Sequence, residues 1–115
     1  MPGFLEKYSY TQEQFKDVAL RPISLHLGVR LAMDMIAKHF ENDGFFDITI
    51  NDTFNDAFAK KNDLEYTITG TQYDGGTLLN VFVYCETKIG KSRKALRNEV
   101  MQLREIFKNY LGEKI

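Results

Sequence analysis

The stretch Ile23–Phe40 reads ISLHLGVRLAMDMIAKHF and is the most apolar run in the chain. At helical spacing, its apolar side chains form two neighbouring stripes. A third stripe is polar and comprises His26, Arg30, Asp34 and Lys38. Pro22 suits the first position of a helix, and Asn42-Asp43-Gly44 supplies a stop. We therefore predict a central helix of about 20 residues whose two apolar stripes must both be covered.

The charged residues of this stretch exclude a membrane-spanning role. Arg30, Asp34 and Lys38 recur at i, i+4 spacing, which supports a water-facing edge and would be costly in hydrocarbon. A sheet can cover one apolar stripe of the helix. The second stripe then requires either the C-terminal helix or another copy of the chain.

The whole chain has the composition of an ordinary globular protein. Its 115 residues, 43% hydrophobic and 27% charged, predict a single domain spanning residues 1–115. The first ten residues, MPGFLEKYSY, lack the pattern of a secretory signal, and the single cysteine, Cys85, fits a reducing compartment. We therefore expect a cytoplasmic protein.

Three shorter segments are assigned from local patterns. Thr11–Gln14 has the form of a capping box and predicts a short helix that ends near Leu20. In residues 46–51, apolar and polar residues alternate, which predicts a strand with one buried face. Residues 53–61 carry Phe54 and Phe58 at i, i+4 spacing and predict a short helical connector.

The clearest local signal is a hairpin centred on Asp74-Gly75, because this dipeptide suits a two-residue turn with positive φ. Pairing Tyr73 with Gly76 gives one apolar face, on which Tyr66 lies opposite Val83. On the other face, Thr67 lies opposite Phe82. Cys85 then faces the core.

The last helix is predicted from about Ser92 to Leu111, because its apolar residues follow a heptad spacing. They are Leu96, Val100, Leu103, Phe107 and Tyr110. Two heptads are too few for a lone coiled coil, so we expect this helix to pack on the central helix, with a dimer seam as the alternative. The predicted fold is α+β: a three-stranded antiparallel sheet packed on a long central helix and a C-terminal helix, in the order α-α-β-α-β-β-α.

A basic cluster opens the last helix. Residues 88–97, KIGKSRKALR, hold five of the 15 basic side chains and no acid, although the formal net charge of the chain is −1. Cations oppose the dipole of a helix start, whereas an anion there is favoured. The candidate anion or nucleic-acid site is Lys88, Lys91, Ser92, Arg93, Lys94 and Arg97. The alternative is a positive end that only contacts solvent.

The α-β-β-β-α order of the double-stranded RNA-binding domain is similar to the predicted order from the central helix onward, apart from the helical connector over residues 53–61, and the stretch Gly90–Lys94 is also similar to that family. That family also places basic residues at the opening of its last helix. The likeness implies RNA as a possible ligand.

A candidate protein interface comes from apolar side chains that the predicted fold leaves uncovered. Leu27, Leu31 and Met35 lie on the second stripe of the central helix, and Phe82 and Tyr84 project from the otherwise polar sheet face. An aromatic pair on a sheet can stack bases, pack under a helix or lie in a dimer interface. We favour the last two settings.

No catalytic residue, metal ligand or cofactor is nominated from the sequence. His26 and His39 are not at ligand spacing on one helix, and the carboxylates are scattered. Whether the protein is an enzyme is left open, although the absence of a recognisable catalytic group in the sequence argues against it. The sequence favours a small non-catalytic interaction or adaptor protein that acts as a homodimer. The alternative is a nucleic-acid or phosphate-ligand binder that uses residues 88–97, and no membrane partner is expected.

Overall fold

The computed structural model describes residues 7–88 and 90–114, with side chains described as far as Leu111. This part of the chain forms six strands and two α-helices, with a short 3₁₀ turn, Val18–Leu20, between the first two strands. The elements are β1 (Tyr8–Tyr10), β2 (Ile23–Leu25), α1 (Val29–Asn42), β3 (Phe46–Asn51), β4 (Asp56–Lys61), β5 (Leu64–Tyr73), β6 (Gly76–Cys85) and α2 (Lys91–Lys114).

All six strands form one antiparallel sheet, so the predicted three-stranded sheet with a long central helix is wrong. The strand order is β1-β6-β5-β4-β3, and β2 also pairs with β6. Because β1 pairs with residues 82–84 and β2 with residues 77–79, the two short strands lie end to end along one edge of β6. This topology also differs from the α-β-β-β-α order on which the likeness to the RNA-binding domain rested.

The hairpin of β5 and β6 has the predicted register. Tyr73 pairs with Gly76, Tyr66 with Val83 and Thr67 with Phe82. Asp74 and Gly75 have φ angles of 51° and 78°, as a two-residue turn of this kind requires. Alternation in both strands agrees with the turn, and these two local signals together specify the register.

The predicted helix over residues 53–61 is wrong, because residues 56–61 form β4. Each residue from Asp56 to Lys61 pairs with β5. Ala57 and Ala59 are fully buried beneath α1, while Phe58 between them points to the opposite face of the sheet. The i, i+4 spacing of Phe54 and Phe58 therefore did not reflect a helix.

The central helix is shorter than predicted, since α1 begins at Val29 rather than near Pro22. Ile23 and Leu25 are buried on one side of β2, whereas Ser24 is exposed, which is the alternation of a strand. The end of the helix at Asn42 agrees with the predicted stop, and Gly44 has a positive φ of 83°.

The predicted N-terminal helix is also wrong. Thr11, assigned as its cap, instead continues the pairing of β1: its backbone N–H donates to the Val81 carbonyl, and its hydroxyl accepts from the Val81 N–H and donates to Asn80. The Arg104 side chain on α2 donates to the carbonyls of Val18, Arg21 and Pro22 and so fixes the chain between β1 and β2.

Both helices pack on the same face of the sheet. α1 lies over β3, β4 and β5, and α2 lies over β6 and the short strands at its edge. The predicted apolar positions of α2 from Leu96 to Phe107 are buried, but they pack chiefly on the sheet rather than on α1. Within residues 7–88 and 90–114, no helix lies on the opposite face of the sheet. In the part of the chain described, no helix is long and apolar enough to cross a membrane.

Candidate functional site

The uncovered side of the sheet, termed here the outer face, is rich in aromatic residues. Register and alternation place seven aromatic side chains on it, from five of the strands. They are Tyr8, Tyr10, Phe46, Phe58, Tyr73, Phe82 and Tyr84. The solvated face of an antiparallel sheet is ordinarily polar, so this composition marks the outer face as a candidate contact surface.

Three of these rings form a continuous stack across β1 and β6. The ring centroids of Tyr8, Tyr10 and Phe82 lie 5.7 to 6.4 Å from one another, and all three interplanar angles are below 20°. Tyr8, Tyr10 and Phe82 nevertheless remain 40%, 45% and 38% exposed. The stack therefore presents flat apolar surface to solvent rather than filling a core.

Charges on the outer face balance one another at short range. Lys60 lies opposite Glu65 in the register of β4 and β5, and its ammonium is 3.8 Å from Asp47. At the edge of the face, Lys7 lies 3.3 Å from Glu86, which also accepts a hydrogen bond from Tyr84. Lys7 and Lys60 are thus balanced by carboxylates, unlike the basic side chains of a groove that binds a phosphate backbone.

The other predicted interface residues lie on the helix layer, away from the outer face. Leu31 on α1 is 39% exposed, and Leu27 and Met35 are half-buried. The structure therefore divides the predicted interface between two surfaces: these three residues on the helix side, and Phe82 and Tyr84 on the outer face.

Much of the basic start of α2 is engaged within the protein. Lys91 bonds Asp63 at 2.6 Å and Arg97 bonds Asp17 at 2.8 Å, and these contacts lower the pKa of both carboxyl groups. Arg93 lies over the Phe15 ring at 5.4 Å. Ser92 is buried and hydrogen-bonded to Ser9. Lys88 and Lys94 are exposed and make no ion pair with a described residue.

A buried polar cluster joins α1 to α2. His39 is 4% exposed, and its Nε2 lies 2.8 Å from a carboxylate oxygen of Glu99, which is 3% exposed. The other ring nitrogen, Nδ1, lies 2.5 Å from Asp43. Burial disfavours the imidazolium, but the hydrogen bonds and charges of Glu99 and Asp43 outweigh it and raise the pKa of His39.

Sequence reasoning missed this cluster because His39 and Glu99 are 60 residues apart. The available signal was positional: His39 adjoins Phe40 in α1, and Glu99 falls between Leu96 and Val100 on the apolar side of α2. A charged residue on an apolar stripe requires a partner, and here each residue is the partner of the other.

The cluster predicts a pH dependence of stability. A group whose pKa is raised by folding stabilises the protein below its ordinary pKa and loses that contribution as pH rises through the folded-state value. We therefore expect the free energy of unfolding to fall as pH increases above about 6.5, the ordinary value for histidine. Urea denaturation at a series of pH values measures this dependence.

Two histidine variants test the assignment of that pH dependence. His39→Gln should remove this component of the slope, because an amide does not titrate. His26→Gln is the matched control, since His26 is exposed and hydrogen-bonded to no described residue. Equal slopes in the wild type and in His39→Gln would contradict the assignment.

Within residues 7–88 and 90–114, no group of three histidine, cysteine or carboxylate side chains could hold a metal ion. Cys85 is buried, as predicted, with its sulfur 3.6 Å from Asp63.

No protein-family model, curated protein or solved structure matches the chain.

Proposed function

We propose that the protein is a small non-catalytic interaction module that forms a homodimer by packing the outer faces of two copies together. The observation that carries this proposal is the exposed stack of Tyr8, Phe82 and Tyr10 on a sheet face without a covering helix. Aromatic residues supply much of the binding energy in protein interfaces, because they bury a large area at low cost in side-chain entropy.

The size of the outer face suits a stable dimer. The sheet is five strands wide, because β1 and β2 share one edge position. At about 4.8 Å per strand and strand lengths of about 20 to 33 Å, the face covers roughly 500 to 800 Å² in projection. Side-chain relief adds to that area, so burying the face approaches the roughly 800 Å² per partner of a standard interface.

The distribution of charge favours a second copy as the occupant. A two-fold interface places the same surface on both sides, so a face with one dominant sign of charge would repel itself. Lys60 and Glu65 lie opposite one another, and Lys60 also pairs with Asp47. Such a locally balanced surface is complementary to itself and tolerates close approach.

Binding of nucleic acid or a phosphate ligand through residues 88–97 is the second candidate function. The observation that favours it is the exposed pair Lys88 and Lys94, neither of which forms an ion pair with a described residue. It ranks second because Lys91 and Arg97 already pair with carboxylates of the protein. Its signature would be RNA binding that weakens steeply with salt.

Analytical ultracentrifugation of the wild type and one outer-face variant tests the proposal. The wild type should sediment as a dimer at micromolar concentration, and Phe82→Lys should sediment as a folded monomer. The substitution removes one of the three rings of the stack and adds charge to both copies. A loss of at least about 2 kcal/mol, roughly 30-fold in the dimer dissociation constant, is expected for an aromatic hot spot.

Leu31→Glu is the matched control on the helix side. Because Leu31 is exposed on the side of α1 that faces solvent, away from the outer face of the sheet, this variant should fold and remain dimeric. A wild type that stays monomeric at high micromolar concentration would refute the proposal. So would a dimer that dissociates in Leu31→Glu and survives in Phe82→Lys.

A further inference from the structure

A cleft of about 350 Å³ opens between the turn that joins β4 to β5 and the first half of α2. It lies on the helix side of the sheet, away from the proposed dimer face. Its walls combine apolar surface with several polar and charged side chains. The residues that matter for its chemistry are Lys61, Asn62, Tyr66, Lys94, Asn98 and Glu99.

Two buried polar groups in this cleft have unused hydrogen-bonding capacity. Tyr66 and Glu99 are 5% and 3% exposed. The Tyr66 hydroxyl makes no hydrogen bond with a described residue, and Glu99 bonds only His39, through one of its two carboxylate oxygens. Among the described residues, Arg104 Nε is the only side-chain nitrogen or oxygen that is fully buried and has no hydrogen-bond partner. The Tyr66 hydroxyl and the second Glu99 oxygen are therefore not fully buried, and both residues line the cleft.

The His39 side chain determines what the floor of the cleft can bind. Its Nε2 is hydrogen-bonded to one carboxylate oxygen of Glu99, and its Nδ1 is hydrogen-bonded to Asp43. Glu99 therefore already shares its charge with a cationic partner when His39 is protonated. A neutral hydroxyl that can donate to the free oxygen suits this floor better than a second cation, and the Tyr66 hydroxyl can donate to or accept from the same ligand.

The rim of the cleft carries positive charge. Lys94 is exposed and forms no ion pair with a described residue. The ammonium of Lys61 makes a cation–π contact with Phe45, 5.0 Å from the ring centroid. A third lysine, Lys91, is largely neutralised by Asp63. Asn62 and Asn98 also line the cleft and are exposed, and their side-chain amides offer both donors and acceptors.

We propose that this cleft is a binding site for a small phosphorylated sugar or polyol. The hydroxyls of the ligand meet Glu99, Tyr66 and the amides, and its phosphate meets Lys61 and Lys94. The cleft has the volume of about a dozen water molecules and lies at the small end of ligand pockets. It therefore admits a pentose or hexose phosphate rather than a polymer.

Isothermal titration calorimetry with ribose 5-phosphate, glucose 6-phosphate and glycerol 3-phosphate tests the proposal on the wild type. At least one of these probes should bind saturably with a dissociation constant below about 1 mM. Inorganic phosphate and free glucose should each bind at least about tenfold more weakly, because each occupies only the rim or only the floor.

Two variants assign the binding to the cleft. Lys94→Gln and Tyr66→Phe should each weaken the tightest probe by about fivefold or more, since each removes one hydrogen-bonding or charged group with little change in volume. Lys108→Gln is the matched control, because it removes the same charge from an exposed position elsewhere on α2.

Three results would overturn the proposal. The first is no saturable binding of any sugar phosphate up to about 10 mM. The second is equal affinity for inorganic phosphate, which would show a simple charge effect. The third is binding that Lys94→Gln and Tyr66→Phe leave unchanged. Unfolding curves of both variants should match the wild type, so that a loss of binding reports the site rather than the fold.

Discussion

Val83→Asp should prevent the protein from folding. Val83 is fully buried in β6, where it pairs with Tyr66 on one side and Ser9 on the other, beneath the helix layer. An aspartate there buries a carboxylate with no cationic partner, which we expect to cost at least about 4 to 5 kcal/mol. That cost is comparable to the whole stability of many domains. Far-ultraviolet circular dichroism and limited proteolysis of the purified variant measure the outcome.

The neighbouring substitution Phe82→Asp is the matched control, because it introduces the same side chain one residue earlier. Phe82 points to the outer face, so this variant should fold, although we expect it to be monomeric. Successive residues of a strand face opposite sides, so the pair of variants reports the register directly. A folded Val83→Asp together with an unfolded Phe82→Asp would place β6 in the opposite register.

Gly76→Ala should destabilise the protein by about 3 kcal/mol, the upper part of the usual range for overpacking. A Cβ atom at Gly76 would lie 2.0 Å from the carbonyl oxygen of Leu25, a backbone atom held in β2. A Cβ atom and a backbone carbonyl cannot be moved apart by rotating a side chain, so β2 must separate from β6. Urea denaturation measures the loss, and faster amide exchange at Ile23–Leu25 locates it.

Gly28→Ala is the control for the general effect of replacing glycine. A Cβ at Gly28 meets no atom within 4 Å, and its φ of −64° is ordinary for alanine. The weaker helix cap and the reduced entropy of the unfolded chain act in opposite directions, so we expect a net change within about 0.5 kcal/mol. Equal losses in the two variants would contradict the proposed clash.

The hairpin of β5 and β6 was predictable because its determinants are local. Asp74-Gly75 defines the turn, and strict alternation in both arms then fixes which residues face the core. The extent of α2 was predictable for the same reason, since a helix carries its own periodicity. In both cases the pattern spans ten or more residues and agrees with its end signals.

Alternation also predicted the strand over residues 46–51, which is β3. Strands β1 and β2 could not be predicted, because their pairing partner, β6, is distant in sequence. β2 is three residues long, and Ile23 pairs with Leu79. Its letters, Ile-Ser-Leu, also extend the helical pattern that begins at Val29, so periodicity alone favoured a longer helix. In β4, the inward residues are alanines, which fit closely beneath α1 but are poor strand formers.

The candidate sites follow the same division. Phe82 and Tyr84 were placed on the outer face because they belong to the hairpin. Tyr8 and Tyr10, which complete the aromatic stack, were missed with β1. The polar cleft depends on Tyr66, Glu99 and His39 from three separate elements, and no sequence spacing links them.

The two edges of the sheet bear on how the protein behaves at high concentration. An open strand edge is a template to which further chains can add indefinitely, as in fibrils and strand-swapped assemblies. Here one edge is split between β1 and β2, three residues each, and the other, β3, is interrupted by a bulge between Phe46 and Thr49, with Asp47 at a φ of 53°. Neither edge offers a long, regular template. We therefore expect concentrated solutions to resist fibril growth. Self-association should stop at the dimer, in which the outer faces of two copies are buried against each other.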